Sequence, residues 1–226
     1  MKKLSLVICI LFASLSTAFA QDSLRHEFLL DAGIAIGPST FSGVGAFQYD
    51  RFVGKKKRII LGTGLRLTGF AGNDLNFISA PSSLTSNDSS IDTLLAPSPR
   101  LYSANLMLNL GYKFNEQWQA GFSIDVFGFS IGPTGSPRYI SEGKYRTVSA
   151  KPTSPNYLLI GDNDNGTLNS QFYVKYKFSK HFGAKVAYQY LFNELRTTTT
   201  VQTQPEPNNR FRYKSSSAYV GAYFVF

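Results

Sequence analysis

The 226-residue sequence predicts an all-β chain, folded as an eight-stranded antiparallel up-and-down transmembrane β-barrel. Three observations lead to this fold class. Apolar residues recur with a period of two through eight successive segments, the signature of half-buried strands. Tight and long connections between those segments alternate. Aromatic residues collect at segment ends, where a membrane barrel meets the two interfaces.

The chain opens with "MKKLSLVICILFASLSTAFAQD": Lys2 and Lys3, an apolar run from Leu4 to Leu15, then Ala18-Phe19-Ala20. A charged start, a short apolar run and a small-x-small site read as a secretory signal peptide cut after Ala20. The run is shorter than the roughly 20 residues a spanning helix needs. Residues 1–20 are therefore assigned to the signal peptide and 21–226 to the barrel. The single cysteine, Cys9, lies in this segment behind Ile8, where a lipidation box needs a small residue. The mature chain then contains no cysteine, which excludes a disulfide framework and a cysteine-ligated metal. It keeps a net charge of +7 after losing two lysines, and nothing in it resembles a nucleic-acid module.

The first strand sets Phe28, Leu30, Ala32, Ile34 and Ile36 against Glu27, Leu29, Asp31, Gly33 and Ala35. The second sets Phe47, Tyr49 and Val53 against Ala46, Gln48, Asp50 and Phe52. In the third, Ile59, Leu61, Thr63, Leu65 and Leu67 oppose Gly62, Gly64, Arg66 and Thr68. The fourth is the clearest, with Tyr102 through Phe114 alternating against Ser103, Asn105, Met107, Asn109, Gly111 and Lys113. The fifth runs Trp118, Ala120, Phe122, Ile124, Val126 against Gln119, Gly121, Ser123, Asp125. The sixth pairs Phe172, Val174, Tyr176 and Phe178 with Gln171, Tyr173, Lys175 and Lys177; the seventh pairs Phe182 to Tyr190 with Gly183, Lys185, Ala187 and Gln189. The last, "SSSAYVGAYFVF", places Ala218, Val220, Ala222, Phe224 and Phe226 on one face and Tyr219, Gly221 and Tyr223 on the other. Segments of this length suit a tilted strand crossing a bilayer, which needs about 9–11 residues.

The tight connections are "GKKKR", "NEQ" and "SKH"; the long ones are residues 72–100, 132–168 and 193–209, rich in Ser, Thr, Asn, Pro and Gly. Membrane barrels have short periplasmic turns and longer outer loops. An even strand number then puts both termini in the periplasm. A soluble, lipocalin-like barrel with the apolar face inward is the competing architecture. Against it stand the small residues of the polar face, which suit a crowded eight-stranded lumen. Aromatics at the strand ends also oppose it. Trp118, Tyr112, Phe114, Phe178, Phe182, Phe224 and Phe226 form one girdle beside the short turns, and Tyr102, Tyr190 and Phe192 the other.

On this pattern, and on the terminal "AYVGAYFVF", the chain resembles the small bacterial outer-membrane β-barrel family, of the OmpA transmembrane-domain and OmpX kind. The resemblance implies a monomer in the Gram-negative outer membrane, in contact with membrane lipid and lipopolysaccharide. It also implies a terminal signal, here Phe226, Phe224 and Val220, read by the barrel-assembly machinery. Function in this family is varied: structural, adhesive, transport, lipid-modifying.

No catalytic or metal site and no cofactor is read from the residues. His26 and His181 both fall at the periplasmic rim, away from one another and from a nucleophile. "GDNDNG" lacks the third ligand and distant Glu of a calcium loop and is read as a turn. Lys55–Arg58 is read as a solvated turn. The informative residues are the ionisable ones facing the lumen: Asp31, Asp50, Arg66, Asp125, Lys175 and Lys185. An isolated buried ion costs several kcal/mol, so mixed signs predict a paired network that plugs the barrel. Arg66 and Asp125 are each eighth from the short-turn end of their strands and are expected to meet. The expected function is non-enzymatic: envelope structure, or binding of an unidentified protein partner through the long loops. A narrow, porin-like channel or carrier, or a subunit of a secretion or assembly complex, are the alternatives.

Overall fold

The computed structural model describes residues 26–159 and 163–226. The predicted signal peptide lies outside them. Eight long strands make the wall: β1 (His26–Gly37), β2 (Thr40–Val53), β3 (Ile59–Gly72), β4 (Arg100–Lys113), β5 (Trp118–Ile131), β6 (Leu168–Lys177), β7 (Phe182–Thr197) and β8 (Arg210–Val225). Each pairs antiparallel with its neighbours in sequence, and β8 pairs with β1, closing the sheet without an edge. The tight turns have local causes. Gly54 takes φ +85° and Lys57 φ +50° in the β2–β3 turn, closed by Lys57 N–H on the Gly54 carbonyl. The Asn115 side chain accepts from the backbone N–H of Gln117 and Trp118, folding β4 back into β5.

Alternation sends two chemistries to two faces. Outward, every strand exposes large apolar side chains, among them Leu30, Phe47, Leu65, Leu108, Phe127, Phe172, Val186 and Val220. An apolar surface running round the whole barrel, far beyond the patch a soluble monomer shows, needs a hydrocarbon solvent. A closed barrel also leaves no unpaired backbone to that solvent. Inward, the strands bury a polar set that includes Asp31, Gln48, Asp50, Arg66, Asn105, Asn109, Ser123, Asp125, Gln171, Lys175, Lys185 and Gln189. The membrane face is therefore the outer one and the polar face is the lumen.

Three features depart from the strand-by-strand reading. A β-bulge falls where Leu106 pairs with Phe127 and Met107 with Asp125, leaving Val126 as the extra residue of β5. The alternation of β5 changes phase there, so Phe127, Phe129 and Ile131 continue the outward face up to the strand end. The last long connection is also shorter than residues 193–209, because β7 runs on to Thr197, while β8 begins at Arg210 where that loop was expected to end. Finally, the long loops are not irregular. Strands Leu75–Ser79, Thr93–Ala96, Arg138–Ser141 and Lys144–Thr147 extend the sheet from the top of β8. Ala150–Pro152 pairs with the end of β7 and Asn156–Tyr157 with β5, continuing the wall above the ten-residue β6.

These loop strands form because each brings an apolar face to the mouth of the barrel. Leu75, Phe77, Leu94, Ala96, Tyr139, Ala150 and Val201 pack on Phe70, Leu101, Leu191, Leu195 and Phe211, which lie toward the long-loop ends of their strands. The result is an apolar plug at the long-loop end of the lumen.

Candidate functional site

Beneath that plug the lumen is filled by ion pairs stacked in layers. At the short-turn end Lys177 Nζ lies 3.4 Å from Glu27 Oε2. Above it, Lys175 Nζ stands 3.9 Å from Asp50 Oδ2 and donates to Gln48 Oε1 at 3.3 Å. The other Asp50 oxygen accepts from Asn109 at 2.8 Å. Lys185 donates to Asp31, which also accepts from the Tyr219 hydroxyl at 2.6 Å. The fourth layer holds Arg66 and Asp125, 3.0 Å apart and both fully buried.

That last pair is the most completely built. Arg66 also donates to the Asn169 carbonyl at 2.8 Å and to the Ser123 hydroxyl. Asp125 takes further hydrogen bonds from Asn105 Nδ2 at 2.8 Å and from the Asn169 backbone N–H at 3.0 Å. The bulge at Val126 sits next to Asp125 and fixes its height in the wall. Asn105 carries the network upward, accepting from Asn156 at 2.8 Å, and Asn156 in turn accepts from Ser130 at 2.9 Å. A segment of the longest loop thus belongs to the lumen packing.

The six lumen residues singled out in the sequence, Asp31, Asp50, Arg66, Asp125, Lys175 and Lys185, are brought together as three acid–base pairs. Three carboxylates facing three cations leave this buried core without net charge, which is what desolvation demands. Sequence reasoning overlooked the three lumen tyrosines. Lys175 lies over the rings of Tyr173 and Tyr223, and Lys185 over those of Tyr173 and Tyr219, at 4.9 to 5.5 Å. Each ring face helps hold a desolvated ammonium. Glycine makes the room: a Cβ on Gly111 would come within 2.7 Å of the Tyr173 hydroxyl, which donates to Asn109 at 2.9 Å. The signal was present in the sequence as tyrosines on the glycine-bearing face.

The aromatic girdle beside the short turns is built from several ring clusters. Phe182 touches Phe224, Phe224 touches Phe226, and Phe226 touches Phe47, with centroids 5.0 to 6.3 Å apart. Trp118 packs on Tyr176 at 4.7 Å and Tyr112 on Phe114 at 5.3 Å. Phe178 is exposed at the foot of β6, and Val220 is exposed on the outer face of β8. The Phe226 backbone N–H donates to the Phe28 carbonyl at 3.0 Å, so the terminal residue is tied to β1. His26 packs edge-on to Phe28 and tilted against Tyr49, and His181 Nδ1 lies 2.9 Å from the Val225 carbonyl. Among the described residues, neither has a hydroxyl or thiol side chain as its hydrogen-bond partner.

No protein-family model matches the chain, and no curated protein sequence matches it. Among solved structures, neisserial surface protein A is similar over 89% of this chain and 97% of its own, at 12% identity and a TM-score of 0.41. The attachment invasion locus protein Ail of Yersinia pestis is similar over 89% and 99%, at 9% identity and a TM-score of 0.37. Outer membrane protein AlkL is similar over 89% and 88%, at 12% identity and a TM-score of 0.30. The closed eight-stranded barrel with its apolar outer face rests on the strand pairing itself and not on these likenesses.

At the opposite end, where the long loops begin, the barrel carries a second charged cluster that sequence reasoning also missed. Glu194 of β7 accepts from Arg210 Nε at 2.7 Å and Nη2 at 2.9 Å, and from Arg212 at 3.2 Å. Both arginines also donate to the Asp164 carbonyl. Glu194 falls inside the expected connection 193–209, which hides its place on β7.

Proposed function

We propose that this protein is a non-enzymatic integral barrel of the bacterial outer membrane, with both termini in the periplasm and the loop cap facing the medium. Its body serves envelope integrity, and its loops bind a partner. The observation that carries this reading is the double closure of the lumen. A charge-neutral network fills the shaft, and the apolar plug of Phe70, Phe77, Leu101, Leu191 and Phe211 closes the mouth. Such a body is built to be rigid rather than to pass solutes. Terminal Phe226, joined to the girdle, supports recognition by the assembly machinery, and the apolar wall supports contact with membrane lipid including lipopolysaccharide. The two histidines, occupied by rings and a backbone carbonyl, support the absence of catalysis.

A narrow, porin-like path is the second reading. The lumen atoms Ser103 Oγ, Gln119 Oε1, Gln171 Oε1 and both ends of the Asn193 amide have no protein partner among the described residues. Buried polar atoms of this kind take water. The proposal is tested by fractionation and protease shaving of intact cells. Outer-membrane recovery, heat-modifiable migration and cleavage only within the long loops are expected. Recovery as a soluble periplasmic species without detergent would overturn it.

A further inference from the structure

At its short-turn end the barrel opens into a polar bowl. A cavity of about 540 Å³ lies between residues 56–58 of the β2–β3 turn, the foot of β4 and Lys177 at the foot of β6. A second hollow of about 380 Å³ shares Glu116 and Lys177 with it and runs out to Lys180 in the β6–β7 turn. Three turns distant in sequence meet here because the wall joins them. The Lys113 backbone N–H donates to the Arg58 carbonyl at 2.7 Å, and the Lys177 N–H to the Gln117 carbonyl at 2.8 Å. Lys113 lies over the ring of buried Phe52 and Lys177 beside Glu27, both on the polar face of the sheet. The bowl therefore opens along the barrel axis, away from the membrane wall.

Its charges fall into two sets. Two cations are answered, Lys177 by Glu27 at 3.4 Å and Lys113 by Glu116 at 2.8 Å. Lys56, Lys57, Arg58 and Lys180 pair with no carboxylate among the described residues, three of them on one bank and one on the other. Cations at three consecutive positions repel one another, a cost that an anionic ligand relieves. The banks stand three strand spacings apart, roughly 14 Å around the wall at about 4.8 Å each. One phosphate or one carboxylate reaches a single bank. A ligand that answers both carries anionic groups set apart along a chain, about four residues of extended peptide. Phe52 and Phe114 also line the cavity, an apolar surface that a peptide can use and a bare phosphate chain cannot.

We propose that this bowl binds an extended, carboxylate-rich peptide segment of a periplasmic partner protein. Its acidic side chains lie on Lys56, Lys57 and Arg58 at one bank and on Lys180 at the other. The proposal rests on the reading that places the short turns in the periplasm, and it puts a binding site at the end of the barrel opposite the loops. An opening along the axis selects a partner in water over a lipid of the wall.

The test titrates the folded full-length barrel, in neutral detergent, into fluorophore-labelled hexaglutamate and reads anisotropy. Saturable binding that weakens as salt rises is expected, with labelled hexaglutamine failing to bind. The combined changes Lys56→Gln, Lys57→Gln, Arg58→Gln and Lys180→Gln should weaken binding roughly eightyfold, about threefold per charge. The control Arg100→Gln, Arg138→Gln, Lys144→Gln and Lys151→Gln removes the same charge from exposed positions at the long-loop end and should bind as the parent does. Heat-modifiable migration checks that each variant is folded, and Lys56→Arg, Lys57→Arg, Lys180→Arg should retain the affinity. Equal loss in the control would reduce the effect to net charge. Unchanged binding by the short-turn variant would place the peptide elsewhere, and full displacement by equimolar inorganic tripolyphosphate would assign the site to a phosphate chain. Each of these three results overturns the proposal. Binding is read in micelles, so its failure leaves the location test standing. Cleavage of the short turns by protease added to intact cells would sink the periplasmic orientation, a failure separate from loss of binding.

Discussion

Replacing Asp125 by Ala removes the acceptor that holds three donors at once: Arg66 Nη1 at 3.0 Å, Asn105 Nδ2 at 2.8 Å and the Asn169 backbone N–H at 3.0 Å. All of them are buried, so none can turn to bulk solvent. Breaking a buried pair from one side costs about 3–5 kcal/mol, since the partner charge is left uncompensated. Arg66 keeps the Asn169 carbonyl and Ser123, which places the expected loss at the lower end, about 3 kcal/mol. Arg66→Met should cost a similar amount by stranding the carboxylate. The double variant strands neither charge and should cost little more than either single change. The coupling energy is then about 2–3 kcal/mol. The assay is reversible urea unfolding of the refolded barrel in phospholipid vesicles, followed by the fluorescence of the single tryptophan, Trp118. Additivity of the two single losses to within about 0.5 kcal/mol would refute the idea that the pair acts as a unit.

In the loop cap the Tyr139 hydroxyl donates to Asp92, and burial, helped by that bond, pushes its pKa up to about 12. A raised pKa means the neutral form stabilises the fold, fully below about pH 10 and progressively less as pH rises through 12. Ultraviolet titration of Tyr139→Phe should therefore lose one tyrosine from the late-titrating set, and an unchanged titration would count against the contact. A Cβ added at Gly183 would fall on the Tyr223 ring, so Gly183→Ala should cost about 1–3 kcal/mol. Adding Tyr223→Leu should recover part of that loss in the same urea assay. Deleting Phe226 should impair assembly in cells far more than refolding in micelles, because folding loses only one backbone bond and a half-exposed ring. Equal loss in both assays would reduce Phe226 to an ordinary folding contact.

The wall of the barrel was legible because a period of two carries over whole strands, and because turn lengths are counted along the chain. The Arg66–Asp125 meeting was legible for a related reason: both lie at equal height, and strand β4 between them is lined with small residues. Lys175 with Asp50 and Lys185 with Asp31 could be listed but not matched, since barrel shear displaces partners by amounts no single strand reveals. The bulge left one trace, the adjacent apolar pair Val126 and Phe127, where strict alternation would have allowed only one. The loop strands were hidden by their brevity: "LNFIS", "TLLA" and "RYIS" are too short to stand out from Ser- and Pro-rich surroundings, and their packing partners lie far off in sequence. The basic bowl needed register most of all. Arg58, Lys113 and Lys177 are scattered in the chain and become neighbours only when strands β3 to β6 are aligned.

The lumen is closed twice, by neutralised charge in the shaft and by an apolar plug at the mouth. Single-channel recording in planar bilayers addresses this directly. The purified barrel should give no unitary steps, whereas a variant with Phe77→Ser, Phe211→Ser and the Arg66→Met, Asp125→Ala pair should conduct. Stable unitary conductance in the unaltered protein would contradict a closed body, and the same recording from the opened variant calibrates what conduction by this barrel looks like.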